Sequence, residues 1–148
     1  MEDKEYLSKE EILNLISSPI NELEVKRLNP LVLAYIGDAV FELYIRKYLI
    51  ITQGTLVNQL HKQATKFVKA EAQAYIVHNI TDSLTEEEIT IVKRGRNSKS
   101  GSVPKNADLS DYKYATGFEA LIGYLYLIGS QERLINLISE AIRQVEGN

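Results

Sequence analysis

The sequence predicts an all-α fold, and three observations carry that expectation. Apolar residues recur at three- and four-residue spacing through most of the chain. Ser8-Lys9-Glu10-Glu11 and Thr85-Glu86-Glu87-Glu88 each place a hydroxyl residue three positions before a glutamate, the pattern of a capping box at a helix start. No stretch alternates apolar and polar residues as a half-buried strand does.

The elements follow in order. From Ser8 a short helix carries Ile12, Leu13, Leu15 and Ile16, and Pro19 ends it. Residues 19–28 read as a connector. Asn29-Pro30 is an N-cap followed by proline at the first helical position. The helix it opens is expected to run to about position 50, with Leu33, Ile36, Val40, Leu43 and Tyr44 on its apolar face. Gly54 breaks the chain, and one long helix is expected from 55 to about 79 through Leu56, Leu60, Ala64, Phe67, Val68, Glu71 and Tyr75. A short helix from Thr85 carries Ile89, Ile91 and Val92 and runs into a polar loop over residues 93–106. Ser110 is expected to cap a helix that Gly129 stops, and Ser130 to cap a last amphipathic helix through Leu134, Leu137, Ile138, Ala141 and Val145.

The whole chain, residues 1–148, reads as a single domain long enough to bury a core. With no cysteine, disulfides and thiolate metal sites are excluded. Met1-Glu2-Asp3-Lys4-Glu5 is charged, unlike a secretory signal, and the longest apolar run is too short to span a bilayer. These features predict a cytoplasmic protein with no membrane partner. The net charge of −3 argues only weakly against a nucleic-acid partner, because distribution matters more than the sum.

Two acids stand in unusual settings. Asp38 lies in an apolar helix between Gly37 and Ala39, and Glu119 lies in another between Gly117, Ala120 and Gly123. A carboxylate among apolar and small residues is costly unless paired or coordinated. Small neighbours let two helices approach and bring both acids together. A proton or a cation must then sit between them, and oxygen ligands suit Mg²⁺ or Mn²⁺. The residues leave two readings open at this point: a shared cation site, or two acids at solvent-exposed helix edges. Glu42, one turn past Asp38, is placed either to assist that site or to pair with Arg46 at i+4. Other chemistries lack their residues. His61 and His78 have no Glu-x-x-His context, and there is no HExxH motif and no P-loop.

Between Glu88 and Asp108 the chain has five basic residues, Lys93, Arg94, Arg96, Lys99 and Lys105, and no acid. Interleaved Gly, Ser and Asn97 leave backbone N–H groups accessible, which suits phosphate contacts; a merely solvated loop is the bland alternative. No run of aromatics suited to stacking single-stranded bases is present, which tilts a nucleic-acid reading toward a duplex held by its backbone.

These residues resemble a known family. Tyr35-Ile36-Gly37-Asp38-Ala39-Val40 resembles the signature of ribonuclease III, and Phe118-Glu119-Ala120-Leu121-Ile122-Gly123 its second acidic motif. The short length and the Arg94-Gly95-Arg96-Asn97-Ser98-Lys99 segment resemble one branch, the bacterial Mini-ribonuclease III proteins, which lack a double-stranded-RNA-binding domain. The resemblance implies a ribonuclease III catalytic-domain-like helical bundle, assembled as a homodimer that holds double-stranded RNA and not DNA. It implies Mg²⁺-dependent hydrolysis leaving 5′-phosphate and 3′-hydroxyl ends, with Asp38 and Glu119 as catalytic and metal-binding residues. It implies precursor 23S ribosomal RNA as substrate, with Lys93, Arg94, Arg96, Asn97, Lys99 and Lys105 gripping the RNA. Where longer family members carry two further acids, this chain has Ala34 and Thr116. That departure matches the short branch and leaves Thr116, like Glu42, as a residue to reach the metal through water. A non-catalytic helical RNA-binding or ribosome-assembly module is the alternative from another class.

Overall fold

The computed structural model describes residues 5–99 and 103–147. The helices are α1 (Lys9–Ser17), α2 (Glu22–Lys26), α3 (Pro30–Gln53), α4 (Val57–Val68), α5 (Ala70–Ile80), α6 (Glu86–Arg96), α7 (Leu109–Leu127) and α8 (Gln131–Glu146). A single 3₁₀ turn, Thr81–Ser83, links α5 to α6, and no strand occurs among the described residues. The expected all-α class is therefore what forms.

Helix α7 is the axis of the bundle. Ten of its residues are buried, among them Ala115, Gly117, Phe118, Leu121, Ile122 and Leu125. It packs against α3, α5 and α6, with α8 and α2 closing the remaining sides. Phe118 meets Phe41 of α3 edge to face, with ring centroids 5.0 Å apart. Leu33, Phe41, Ile45, Phe118, Leu121, Ile122 and Leu134 are fully enclosed at its centre.

The caps act as the sequence implies. Ser8 and Thr85 accept from the N–H of Glu11 and Glu88, and both glutamates reach back to the N-cap N–H. Glu88 does more than cap. It is buried, and Arg133 of α8 grips it through two hydrogen bonds of 2.8 Å. Burial pushes its pKa up, but the guanidinium and the Thr85 N–H outweigh that and hold it low.

Four expectations are corrected. The span from 55 to 79 is two helices, because Lys69 adopts extended backbone (φ −65°, ψ 152°). The buried Gln73 donates to the Val68 carbonyl left over by the break, at 3.1 Å. The connector 19–28 contains α2, whose Val25 is in the core. Asp108, not Ser110, caps α7, accepting from the Asp111 N–H at 2.9 Å. On α3 the buried face is Leu33, Gly37, Val40, Phe41, Ile45 and Leu49, while Leu43 is 66% exposed.

Helices α3 and α7 cross at backbone contact. A Cβ on Gly37 would lie 1.8 Å from the Glu119 carbonyl oxygen, and one on Gly123 would lie 1.9 Å from that of Leu33. Only hydrogen fits at either place. Gly37→Ala should therefore lower folding stability by about 3 kcal/mol, the upper range for overpacking. Urea unfolding checks it, and a variant within about 0.5 kcal/mol of the parent, the usual effect of a surface change, would contradict the close crossing.

Candidate active site

The crossing decides where the acids go. Gly37 touches the Glu119 backbone, so Asp38, the next residue on α3, is brought beside the Glu119 side chain. The two carboxyl groups lie within hydrogen-bonding reach of each other. Asp38 is exposed at the surface, while Glu119 lies half-buried beneath it. Two like charges brought together resist ionising at once. Accordingly the Glu119 pKa is pushed from its ordinary 4.5 up to about 9. Burial is the largest cause, followed by a hydrogen bond from protonated Glu119 to Asp38, the Asp38 charge and the charge of Glu42.

Glu42 forms the expected pair with Arg46. Its carboxylate accepts from Arg46 at 3.2 Å, and its charge still reaches Glu119. Thr116 is placed differently. It is buried, and its hydroxyl donates to the Tyr112 carbonyl one turn back at 3.0 Å. Ala34, where longer family members are acidic, is buried. Among the described residues no three or more His, Asp or Glu side chains form a ready-made metal cage. The donor chemistry of this centre suits a hard divalent cation, since Asp38 and Glu119 offer carboxylate oxygens on adjoining helices.

The basic segment is divided between helix and loop. Lys93, Arg94 and Arg96 belong to the last turn of α6 rather than to the loop, whose residues 100–102 lie outside the described residues. Glycines set this too. A Cβ on Gly117 would lie 2.6 Å from the Val92 carbonyl, so α6 lies tight against α7, the helix that carries Glu119. Arg94 points inward and donates to the carbonyls of Lys26 (2.8 Å) and Leu28 (3.3 Å), fastening α6 to the turn before α3. Arg96 goes the other way. Its guanidinium lies 5.6 Å over the Tyr114 ring, its Nε–H donates to Asn97 Oδ1 at 3.1 Å, and His78 stacks on the same ring at 4.3 Å. Lys93, Asn97, Lys99 and Lys105 are exposed. Tyr114 and His78 carried no signal in the sequence, because 36 positions separate them and only the packing of α5 on α7 joins them.

The Ribonuclease III domain family matches residues 31–130, a span that includes both acids and the basic segment. The chain is thus an endonuclease of ribonuclease III type, acting on RNA. Similar proteins include "Mini-ribonuclease 3" of Clostridium tetani, 52% identical over 83% of this chain and 82% of that one. "Mini-ribonuclease 3" of a Thermoanaerobacter strain is 48% identical over 99% of this chain and 94% of that one. The crystal structure of protein FN1578 from Fusobacterium nucleatum superposes with a TM-score of 0.72 at 35% identity, covering 81% of this chain and 96% of that one. The chain belongs to the Mini-ribonuclease 3 branch of the ribonuclease III family.

The raised Glu119 pKa has a thermodynamic consequence in metal-free protein. Unfolded, the group loses its proton above its ordinary 4.5; folded, it keeps it to about 9. The folded state binds more protons in that window, so the group's contribution is complete below it and declines as pH rises through it. In chelator, the parent's melting temperature should fall between about pH 5 and pH 9 more steeply than that of Glu119→Gln, which cannot ionise. Equal slopes in the two proteins would contradict the raised Glu119 pKa.

Proposed function

We propose that the chain hydrolyses double-stranded RNA at a Mg²⁺-dependent centre formed by Asp38 and Glu119. The observation that carries this reading is the backbone-close crossing of α3 and α7 that sets Asp38 beside Glu119, in the chain of a ribonuclease III-type endonuclease. Two acids forced together at a surface, with one buried, form a site that gains by exchanging a proton for a cation. Mn²⁺ satisfies the same oxygen donors. When bound, such a cation polarises a phosphoryl oxygen and lowers the pKa of a coordinated water.

The chain's own residues do the rest. Gly37 and Gly123 hold α3 and α7 so close that Asp38 and Glu119 cannot separate. Glu119, with Asp38, would hold the cation as a carboxylate, and Glu42, held by Arg46, would add negative potential. Arg96, braced on Tyr114, and exposed Lys93, Asn97, Lys99 and Lys105 contact the phosphates of the duplex. Arg94 is spent on the fold and is left out of this grip. The finer assignment is to precursor 23S ribosomal RNA in the cytoplasm by a homodimer with one such centre per subunit. It rests on the Mini-ribonuclease 3 kinship and on the apolar outer side of α3. No helix among the described residues is long and apolar enough to cross a membrane.

Cleavage of a long RNA duplex is expected with Mg²⁺ and not with chelator, and Asp38→Asn should cut at least about a hundredfold more slowly. Cleavage in chelator, or an undiminished rate for Asp38→Asn, would overturn the assignment. The two arginines separate by assay. Arg96→Ala should weaken duplex binding and reduce the salt slope by about 1, the value of one phosphate contact. Arg94→Ala should lower the melting temperature and leave the slope as it is. Reversed outcomes would exchange their roles.

A further inference from the structure

Arg94 and Arg96 use their guanidinium groups in opposite ways. Both terminal nitrogens of Arg94 donate to the carbonyls of Lys26 and Leu28. Arg96 is held by its other atoms. Its guanidinium carbon lies 5.6 Å from the centre of the Tyr114 ring, and its Nε–H donates to Asn97 Oδ1 at 3.1 Å. Among the described residues neither Nη1 nor Nη2 of Arg96 has a hydrogen-bond partner. An open Nη1–Nη2 edge is the flat fork that pairs with a phosphate. An aromatic ring suits it as a support, because the ring attracts the cation and takes up none of its N–H donors.

Three helices build that support. Gly95 and Gly117 meet so closely that a Cβ on Gly95 would lie 2.8 Å from the Gly117 Cα, and one on Gly117 would lie 3.4 Å from the Arg96 backbone nitrogen. This contact fixes the end of α6 on α7 and brings Arg96 to Tyr114, one turn before Gly117. Tyr114 is half-buried, and the His78 ring of α5 lies against it with centroids 4.3 Å apart. Both contacts are made by the tyrosine ring, not by its hydroxyl. Tyr114 and Glu119 share α7 and are separated by about 7.5 Å of helix rise. Whatever ties Arg96 to Tyr114 therefore also fixes the fork relative to Glu119.

We propose that Tyr114 is a positioning residue for the RNA grip: its ring, backed by His78, holds the Arg96 fork toward one duplex phosphate at a set place relative to Glu119. An arginine free in solvent samples many rotamers and loses them on binding. Held on the ring, Arg96 has already lost them, so the contact gains affinity without a new bond. Tyr114 acts through Arg96, by aiming it. The inference rests on the phosphate contact assigned to Arg96 above and adds the two rings that direct that contact.

A mutant cycle on duplex binding and cleavage tests it. Tyr114→Leu should weaken binding of an RNA duplex about fivefold, the cost of ordering one long side chain, and the loss should appear in KM rather than in kcat. Tyr114→Phe keeps the ring and should bind as the parent does. Beside Arg96→Ala, Tyr114→Leu should add no further loss. His78→Ala removes an exposed side chain and spares the core; it should weaken binding about twofold, and only while Arg96 is present. Additive losses, a fall in kcat alone, or equal losses in Tyr114→Phe and Tyr114→Leu would overturn the proposal. Should Tyr114→Leu fail to fold, unchanged binding by His78→Ala overturns it. If Arg96→Ala weakens binding while Tyr114→Leu and His78→Ala do not, the positioning role falls and the phosphate contact stands. If Arg96→Ala changes nothing, both fall.

Discussion

The approach of α3 to α7 is the constraint on which the rest depends. Gly37 and Gly123 each bring a Cα against a carbonyl oxygen of the opposite helix, with no room for a methyl group. Side-chain packing alone would hold two helices about 8–10 Å apart. The closer crossing sets Phe41 on Phe118, and it aligns Asp38 with Glu119. One geometric decision thus supplies both the centre of the core and the pair of acids. The cost is an electrostatic one, since a half-buried glutamate beside an aspartate retains a proton far above its ordinary range.

That cost is the functional content of the site. A fold needing only stability would replace Glu119 with an apolar residue, as the buried Ala34 shows for another acid position of the family. Two acids set side by side are the donors proposed above to take a cation. The surrounding helices are held by groups away from the pair. Arg133 neutralises Glu88, and Arg94 closes the carbonyls of Lys26 and Leu28. The arginine that fastens the fold and the one proposed to meet RNA are close neighbours on one helix. Arg94 and Arg96 differ by two positions, so they project to different sides of α6.

Much of the fold was legible because its signals are local. Both capping boxes form, Asn29-Pro30 opens α3, and Gly129 follows α7 with a φ of +76°. The break at Lys69 was not legible, since no proline or glycine marks it and Gln73 compensates from inside the core. The helical end of the basic segment was missed for a related reason. Glycine at 95 reads as part of a loop in a sequence, whereas here it lets α6 touch α7 at Gly117. Asp38 and Glu119 were legible as a pair through their matched small neighbours. Tyr114 and His78 were not, because an aromatic ring under an arginine has no sequence pattern.

The sequence by itself determined the helical class, most helix starts and stops, and the two acids that had to be accounted for. Those follow from backbone chemistry and side-chain spacing within a few residues. Tertiary structure alone decided which of two neighbouring arginines is tied to backbone carbonyls, that Thr116 turns its hydroxyl to its own helix, and that α1 buries none of its residues. It also decided that Asp38 lies beside Glu119. Each of these depends on distances between residues far apart in the chain, and such distances exist only once the helices have packed.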